Sequence, residues 1–174
     1  MENRNDNRQN KNILVTGPPR IGKSTLIERI VSRVQGPVTG FFTREIRERG
    51  KRVGFSIVTL DGKTGVLAHQ DIKGPFSVGR YGVNLKDIDQ VAVPSMRPSG
   101  SEVIVVIDEI GKMECLSSLF RASLITVLDS ENPVIGSIAL KGGPFIEKVK
   151  GRKDISLIEV TQKNRDELVH FPLF

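Results

Sequence analysis

Gly17-Pro18-Pro19-Arg20-Ile21-Gly22-Lys23-Ser24 is the stretch that decides the fold. It fits the pattern G-x-x-x-x-G-K-S/T, and the residues on its two sides differ in periodicity. Upstream, Ile13-Leu14-Val15-Thr16 is an unbroken β-type run, which suits a strand buried on both faces. Downstream, Leu26, Ile27, Ile30, Val31 and Val34 recur at helical spacing, while Glu28, Arg29 and Arg33 fall off that face. Gly36-Pro37 then stops the helix. Strand, glycine loop and helix in this order form the context in which the pattern cradles phosphate. Glycines let the backbone curl so that successive N–H groups point at anionic oxygens. The helix directs the positive end of its dipole to the same point. A chain of this length meets the pattern by chance with a probability of about 0.01 or less, before the flanks are counted.

Within this Walker A loop each residue type has a task. The Lys23 ammonium is expected to reach the β- and γ-phosphates of a nucleoside triphosphate, and the Ser24 hydroxyl to ligate Mg²⁺. Thr25 supports the α-phosphate through its backbone, and Gly17, Pro18, Pro19, Arg20, Ile21 and Gly22 wrap the chain around the phosphates.

A second strand should complete the site with a carboxylate. Val103 to Ile107 is the most apolar strand in the chain and runs into Asp108-Glu109. Asp108 stands where a Walker B aspartate holds Mg²⁺, directly or through water. Its approach to Lys23 rests on parallel strands meeting at the carboxyl edge of one sheet. Glu109, directly after it, can orient a water behind the γ-phosphate and take its proton. Many kinases instead exclude water, so the Asp-Glu pair tips the reading towards hydrolysis. Ile110 and Gly111 continue the nucleotide-binding stretch.

The rest of the chain departs from a plain βαβ rhythm. Val38 to Thr43, Val53 to Leu60 and Thr64 to Ala68 read as strands, with Gly50-Lys51 and Asp61-Gly62 as turns. This predicts an antiparallel hairpin or meander over residues 41–68. Short helices are predicted near Leu85 to Asp89 and after Pro94. A helix runs from Leu116 to Leu128, a strand from Val134 to Leu140, a helix from Pro144 to Lys150 and a strand from Ile155 to Val160. Thr161 is a candidate N-cap for a terminal helix containing Leu168 and Val169. The expected architecture is a three-layer α/β P-loop fold: a mainly parallel sheet flanked by helices, in one domain over 13–174. The polar residues 1–12 are read as a disordered tail.

Composition narrows the function classes. No apolar run approaches the roughly 18 residues of a membrane helix, so no membrane partner is expected, and the chain reads as cytoplasmic. One cysteine, Cys115, excludes an intrachain disulfide, and two distant histidines give no support to a His-centred site. The net charge is +6, yet the basic residues are spread along the chain. Nucleic acid is therefore not expected as the principal partner; nucleoside triphosphates are. A monomer or weak oligomer is expected.

Asp108-Glu109-Ile110-Gly111-Lys112-Met113-Glu114 resembles the signature of the thermophilic-type nucleoside triphosphatase family, to which the human cancer-related nucleoside triphosphatase also belongs. Gly40 to Arg47, Tyr81-Gly82-Val83-Asn84, Val91 to Pro94 and Asn164-Arg165-Asp166 are similar to it as well. The resemblance covers roughly residues 12–170. It implies Mg²⁺-dependent hydrolysis of NTP to NDP and phosphate, with little preference among bases, on a P-loop fold. Two features depart from the pattern: Pro18-Pro19-Arg20 inside the loop, and a short stretch from Met96 to Ser101.

Hydrolysis spreads charge over the γ-phosphoryl oxygens, so a further cation is useful. Arg44 and Lys112, at carboxyl ends of predicted strands, are the favoured candidates; Arg20 and Lys141 are others. Thr161, Asn164 and Arg165 are candidates for base or ribose contact. Two other readings stand beside the hydrolase: a nucleotide or nucleoside kinase, with Arg44 to Arg52 or Arg152-Lys153 as a lid, and a nucleotide-binding switch associated with nucleic acid.

Overall fold

The structure is a computed structural model that describes residues 11–170. Its strands are β1 (Asn12–Thr16), β2 (Val38–Glu48), β3 (Lys51–Thr59), β4 (Thr64–His69), β5 (Ser77–Val78), β6 (Tyr81–Val83), β7 (Ile104–Ile110), β8 (Val134–Ile138) and β9 (Ile155–Glu159). They form one nine-stranded sheet in the order β5-β6-β4-β3-β2-β7-β8-β1-β9. From β2 to β9 every pairing is parallel, and from β2 to β5 every pairing is antiparallel. The predicted meander over 41–68 is thus the middle of an antiparallel wing that shares β2 with the parallel half. It runs on through β5 and β6, which are too short to be seen in the periodicity.

Side-chain alternation sorts the parallel strands between two cores. Leu14, Phe41, Val105, Ile107 and Val134 face one side, where helix α4 (Ser118–Asp129) contributes Phe120 and Leu124. Their neighbours Val15, Phe42, Val106 and Ile135 face the other, where helix α1 (Lys23–Val31) contributes Leu26, Ile27 and Ile30. Both faces are dry, as continuous apolar runs require. Phe41 meets the edge of Phe120 at a centroid distance of 6.3 Å, locking α4 to the sheet centre.

Several boundaries differ from the sequence reading. The first ten residues of the expected tail lie outside the described residues, but Asn12 is the buried first residue of β1. Residues 85–95 form one helical run: α2 (Leu85–Asp87), a π-helical turn (Ile88–Ala92) and α3 (Val93–Ser95). Pro94 sits within this run, near its end, rather than before a new helix. Helix α5 (Pro144–Lys150) begins and ends as predicted. Among the described residues no terminal α-helix forms. Thr161 and Asn164 exchange reciprocal bonds, the Thr161 N–H donating to Asn164 Oδ1 at 2.8 Å. Beyond them the chain makes turns and only a short 3₁₀ segment, Leu168–His170. The exposed polar run Lys163 to Glu167 offers that segment no face to bury.

Candidate functional site

The loop between β1 and α1 closes on itself. Gly17 has φ 150° and Gly22 φ 104°, conformations that L side chains rarely adopt. A Cβ on Gly17 would stand 2.8 Å from the Val160 carbonyl oxygen, so the loop packs directly on the end of β9. Gly22 caps α1 in the left-handed region, and its carbonyl accepts from Leu26 N–H at 2.9 Å. Arg20 also lies at positive φ, 66°, and its side chain is exposed. Lys23 Nζ donates to the Gly17 carbonyl at 3.1 Å, which draws the ammonium back over the loop.

Strand β7 continues past Ile107 through both carboxylates to Ile110, and the Asp108–Glu109 peptide is cis. Asp and Glu are poor strand formers, so the sequence reading ended the strand too early. The ladder to β2 pairs Phe42 with Asp108, while that to β8 shifts register between Ile107 and Ile110.

Asp108 is fully buried. Ser137 on β8 donates its hydroxyl to Asp108 Oδ1, while Oδ2 has no partner. Burial pushes the Asp108 carboxyl above its ordinary value; the Ser137 and Ser24 hydroxyls and the Arg44 and Lys23 charges pull it back in part. Ser24 and Lys23 of the loop thus lie near enough to Asp108 to act on its carboxyl. Thr16, at the end of β1, holds a buried hydroxyl that also has no partner. Among the described residues no three His, Cys, Asp or Glu side chains cluster as a metal cage.

A cleft of about 730 Å³ opens beside the loop, lined by residues that include Lys23, Ser24, Arg44, Arg52, Phe55 and Glu109. Burial raises the Glu109 pKa, and the Asp108 carboxylate adds to this; the Lys23 ammonium opposes it. Arg44 is held on both sides: its guanidinium lies 5.0 Å over the Phe42 ring and 2.7 Å from Glu28 of α1. Lys112 and Lys141 are exposed and do not line the cleft. A smaller cavity of about 230 Å³ flanks α1, lined by Ile21, Gly22, Thr25, Leu26, Arg29, Arg165, Asp166 and Val169. Arg165 lines it, whereas Thr161 and Asn164 are engaged in their own turn.

No role for Ser137 is legible in the sequence; Glu114 stands there only within the signature run from Asp108, and Arg52 only at the end of the basic stretch from Arg44. Ser137 carries a faint signal, as the only polar side chain in Val134-Ile135-Gly136-Ser137-Ile138. Glu114 is buried, and its pKa is pushed up to about 8, by burial first and by the Glu109 carboxylate next. Arg52 sits 5.1 Å over Phe55 and donates to Tyr81 Oη at 3.1 Å.

A curled glycine loop between a buried strand and a helix, at the carboxyl edge of a parallel sheet and facing a buried aspartate, defines a P-loop NTPase fold. The family described as NTPase matches residues 12–171, and the chain belongs to it. It is 46% identical over 159 residues to the nucleoside-triphosphatase THEP1 of Thermotoga sp. (strain RQ2), covering 91% of each chain. It is 39% identical over 176 residues to the cancer-related nucleoside-triphosphatase of Homo sapiens, covering 91% of this chain and 93% of that one. The crystal structure of THEP1 from Aquifex aeolicus superposes with a TM-score of 0.82 at 32% identity, over 91% of this chain and 95% of that chain.

Proposed function

We propose that this chain is a Mg²⁺-dependent nucleoside triphosphatase that hydrolyses ATP, GTP, CTP and UTP to the diphosphate and phosphate. The relatives carry nucleoside-triphosphatase names. The observation that carries the reading is the nearness of Ser24 to the buried, half-satisfied Asp108 carboxylate, beside a cleft that Ser24, Lys23 and Glu109 all line.

The donor set fits Mg²⁺. Asp108 Oδ2 lacks a partner, and the Ser24 hydroxyl is a second hard oxygen donor. With so few protein carboxylates, the ion's other ligands come from phosphate and water. When bound, Mg²⁺ neutralises charge on the β- and γ-phosphoryl oxygens.

The protein groups do the rest. Loop N–H groups and the α1 dipole hold the phosphates. Lys23 leaves the Gly17 carbonyl for the β- and γ-oxygens. Glu109 orients a water in line with the γ-phosphorus; the water oxygen bonds to phosphorus, the bond to the β-γ bridging oxygen breaks, and the water proton passes to Glu109. Burial favours this by raising the affinity of Glu109 for a proton. Arg44, fixed by Phe42 and Glu28, adds positive charge on the γ side. Lys112 has weaker support, since its exposed side chain does not reach the cleft wall. The cavity beside Arg165 suits the base; its aliphatic walls and long flexible polar groups discriminate little among bases.

Phosphate release from ATP, GTP, CTP and UTP, with Mg²⁺ and with EDTA, tests the assignment. Release without any acceptor, similar across bases and abolished by EDTA, is expected. Transfer only to an added nucleoside or monophosphate would make the chain a kinase. Glu109→Gln should bind nucleotide and fail to hydrolyse it.

A further inference from the structure

The carboxyl of Glu114 lies beneath the turn that follows β7. A Cβ built on Gly111 would stand 2.7 Å from Glu114 Oε2, and 3.6 Å from both Cγ and Oε1 of Glu109. The space a side chain on Gly111 would take is therefore held by the Glu114 carboxyl, with the Glu109 side chain close beside it. The turn closes from the other side as well: the Cys115 N–H donates to the Gly111 carbonyl at 3.1 Å, and the Ser117 N–H to the Glu114 carbonyl at 3.1 Å. The Gly111 and Glu114 N–H groups face the Glu114 carboxyl. The charged groups that reach it are Glu109 and Asp108 on β7, and Cys115 is its titratable chain neighbour.

We propose that Glu114 is a positioning residue for Glu109: its buried carboxyl props Gly111 and so fixes the angle at which Glu109 enters the cleft. Two consequences follow from packing alone. Removing the carboxyl leaves Gly111 unsupported, and the turn carrying Glu109 relaxes into the space. Adding a methyl at Gly111 drives the same carboxyl away, because something must shift at a 2.7 Å approach. Glutamine fills the same volume and keeps an oxygen acceptor for the N–H groups. The inference rests on Glu109 being the base, since only then does its angle govern the rate.

The test compares Glu114→Ala, Glu114→Gln, Gly111→Ala and the double variant Gly111→Ala/Glu114→Ala. Single-turnover phosphate release from Mg-ATP is measured alongside the Kd for Mg-ADP. Expected is a fall of about 10- to 100-fold in rate for Glu114→Ala with Kd within about twofold, rescue to within about threefold by Glu114→Gln, and a fall for Gly111→Ala. The double variant should be no slower than Glu114→Ala, because the clash is gone once the carboxyl is absent. Unchanged turnover in Glu114→Ala, equal loss in Glu114→Gln, or additive losses in the double variant would each overturn the proposal. Should Glu114→Ala not fold, the decision passes to the other two single variants: Glu114→Gln active with Gly111→Ala slow supports the role, and any other pairing removes it. A fully active Glu109→Gln would instead remove the base assignment itself.

Discussion

The Ser137 hydroxyl donates to Oδ1 of Asp108 from β8, the strand inserted between β1 and β7. Among the described residues it is the one side-chain hydrogen bond drawn to this fully buried carboxylate. Ser137→Ala leaves both Asp108 oxygens short of donors, and a buried acceptor so stranded costs about 1–3 kcal/mol. Loss of the donor also lets the Asp108 pKa rise further, because that hydroxyl is the largest influence opposing burial. The expected outcome is a several-fold higher Mg²⁺ concentration for half-maximal phosphate release, with kcat down by about tenfold. A Mg²⁺ titration of hydrolysis at fixed ATP checks it.

Arg44 and Glu28 separate catalysis from tethering. Arg44 lies 2.7 Å from Glu28, but both side chains are two-fifths exposed, at 41% and 43%. Such a pair is worth about 0–1 kcal/mol. Glu28→Ala should therefore change kcat by no more than about fivefold. Arg44→Ala removes the charge itself and should lower kcat by about 100-fold or more, in the range of other charge-stabilising groups. Steady-state kinetics of the two variants settles the matter: equal effects would assign Arg44 a merely structural part, and an unchanged Arg44→Ala would dismiss it.

The contrast between these two residues and Ser137 also marks how far the sequence could be read. The loop 17–24, the strand before it, helix α5 and the turn at Asp61-Gly62 announce themselves through local chemistry: glycines, proline at a helix start, and alternation. The parallel order that brings Asp108 to Ser24 could be anticipated because a strand ending in a carboxylate has one useful place to go. Ser137 and Glu114 could not. Their importance comes from register across β8 and from a turn folding beneath Gly111, and neither leaves a periodic trace. The carboxylates at 108 and 109 even misled, since β7 runs through both despite their poor strand propensity, with Asp108 paired to Phe42 of β2.

Glu114 makes stability depend on pH. Its carboxyl is held protonated in the folded state to about pH 8, against an ordinary value of 4.5. Between those limits the folded chain binds a proton that the unfolded chain has released, so stability falls as pH rises, by up to ~1.4 kcal/mol per pH unit. The contribution is complete below about pH 4.5 and lost on passing about pH 8. Asp108 and Glu109 are shifted the same way and add to the slope. Glu114→Gln has no proton to lose. Its Tm relative to wild type should rise steadily from pH 5 to pH 8.5 in thermal melts; a constant difference across that range would mean that Glu114 is ionised in the folded protein.

Asn12 lies at the opposite edge of the sheet from the cleft, and its side chain ties three elements together. Its amide donates to the Leu128 carbonyl at the end of α4 and to Asp154 Oδ2 before β9, each at 3.1 Å. Asp154 in turn receives two bonds from Arg152, which also reaches Asp129. Asn12→Ala strands the Leu128 carbonyl and leaves a small void at a fully buried position. The two losses together should cost about 1–3 kcal/mol, or about 2–12 °C in Tm for a chain of this size. Asn12 touches no residue of the cleft, so kcat per folded molecule at 25 °C should be unchanged. Melting curves and turnover measured on the same preparation check both halves. A loss of turnover without a loss of Tm would mean that the far edge of β1 steers the loop at its other end.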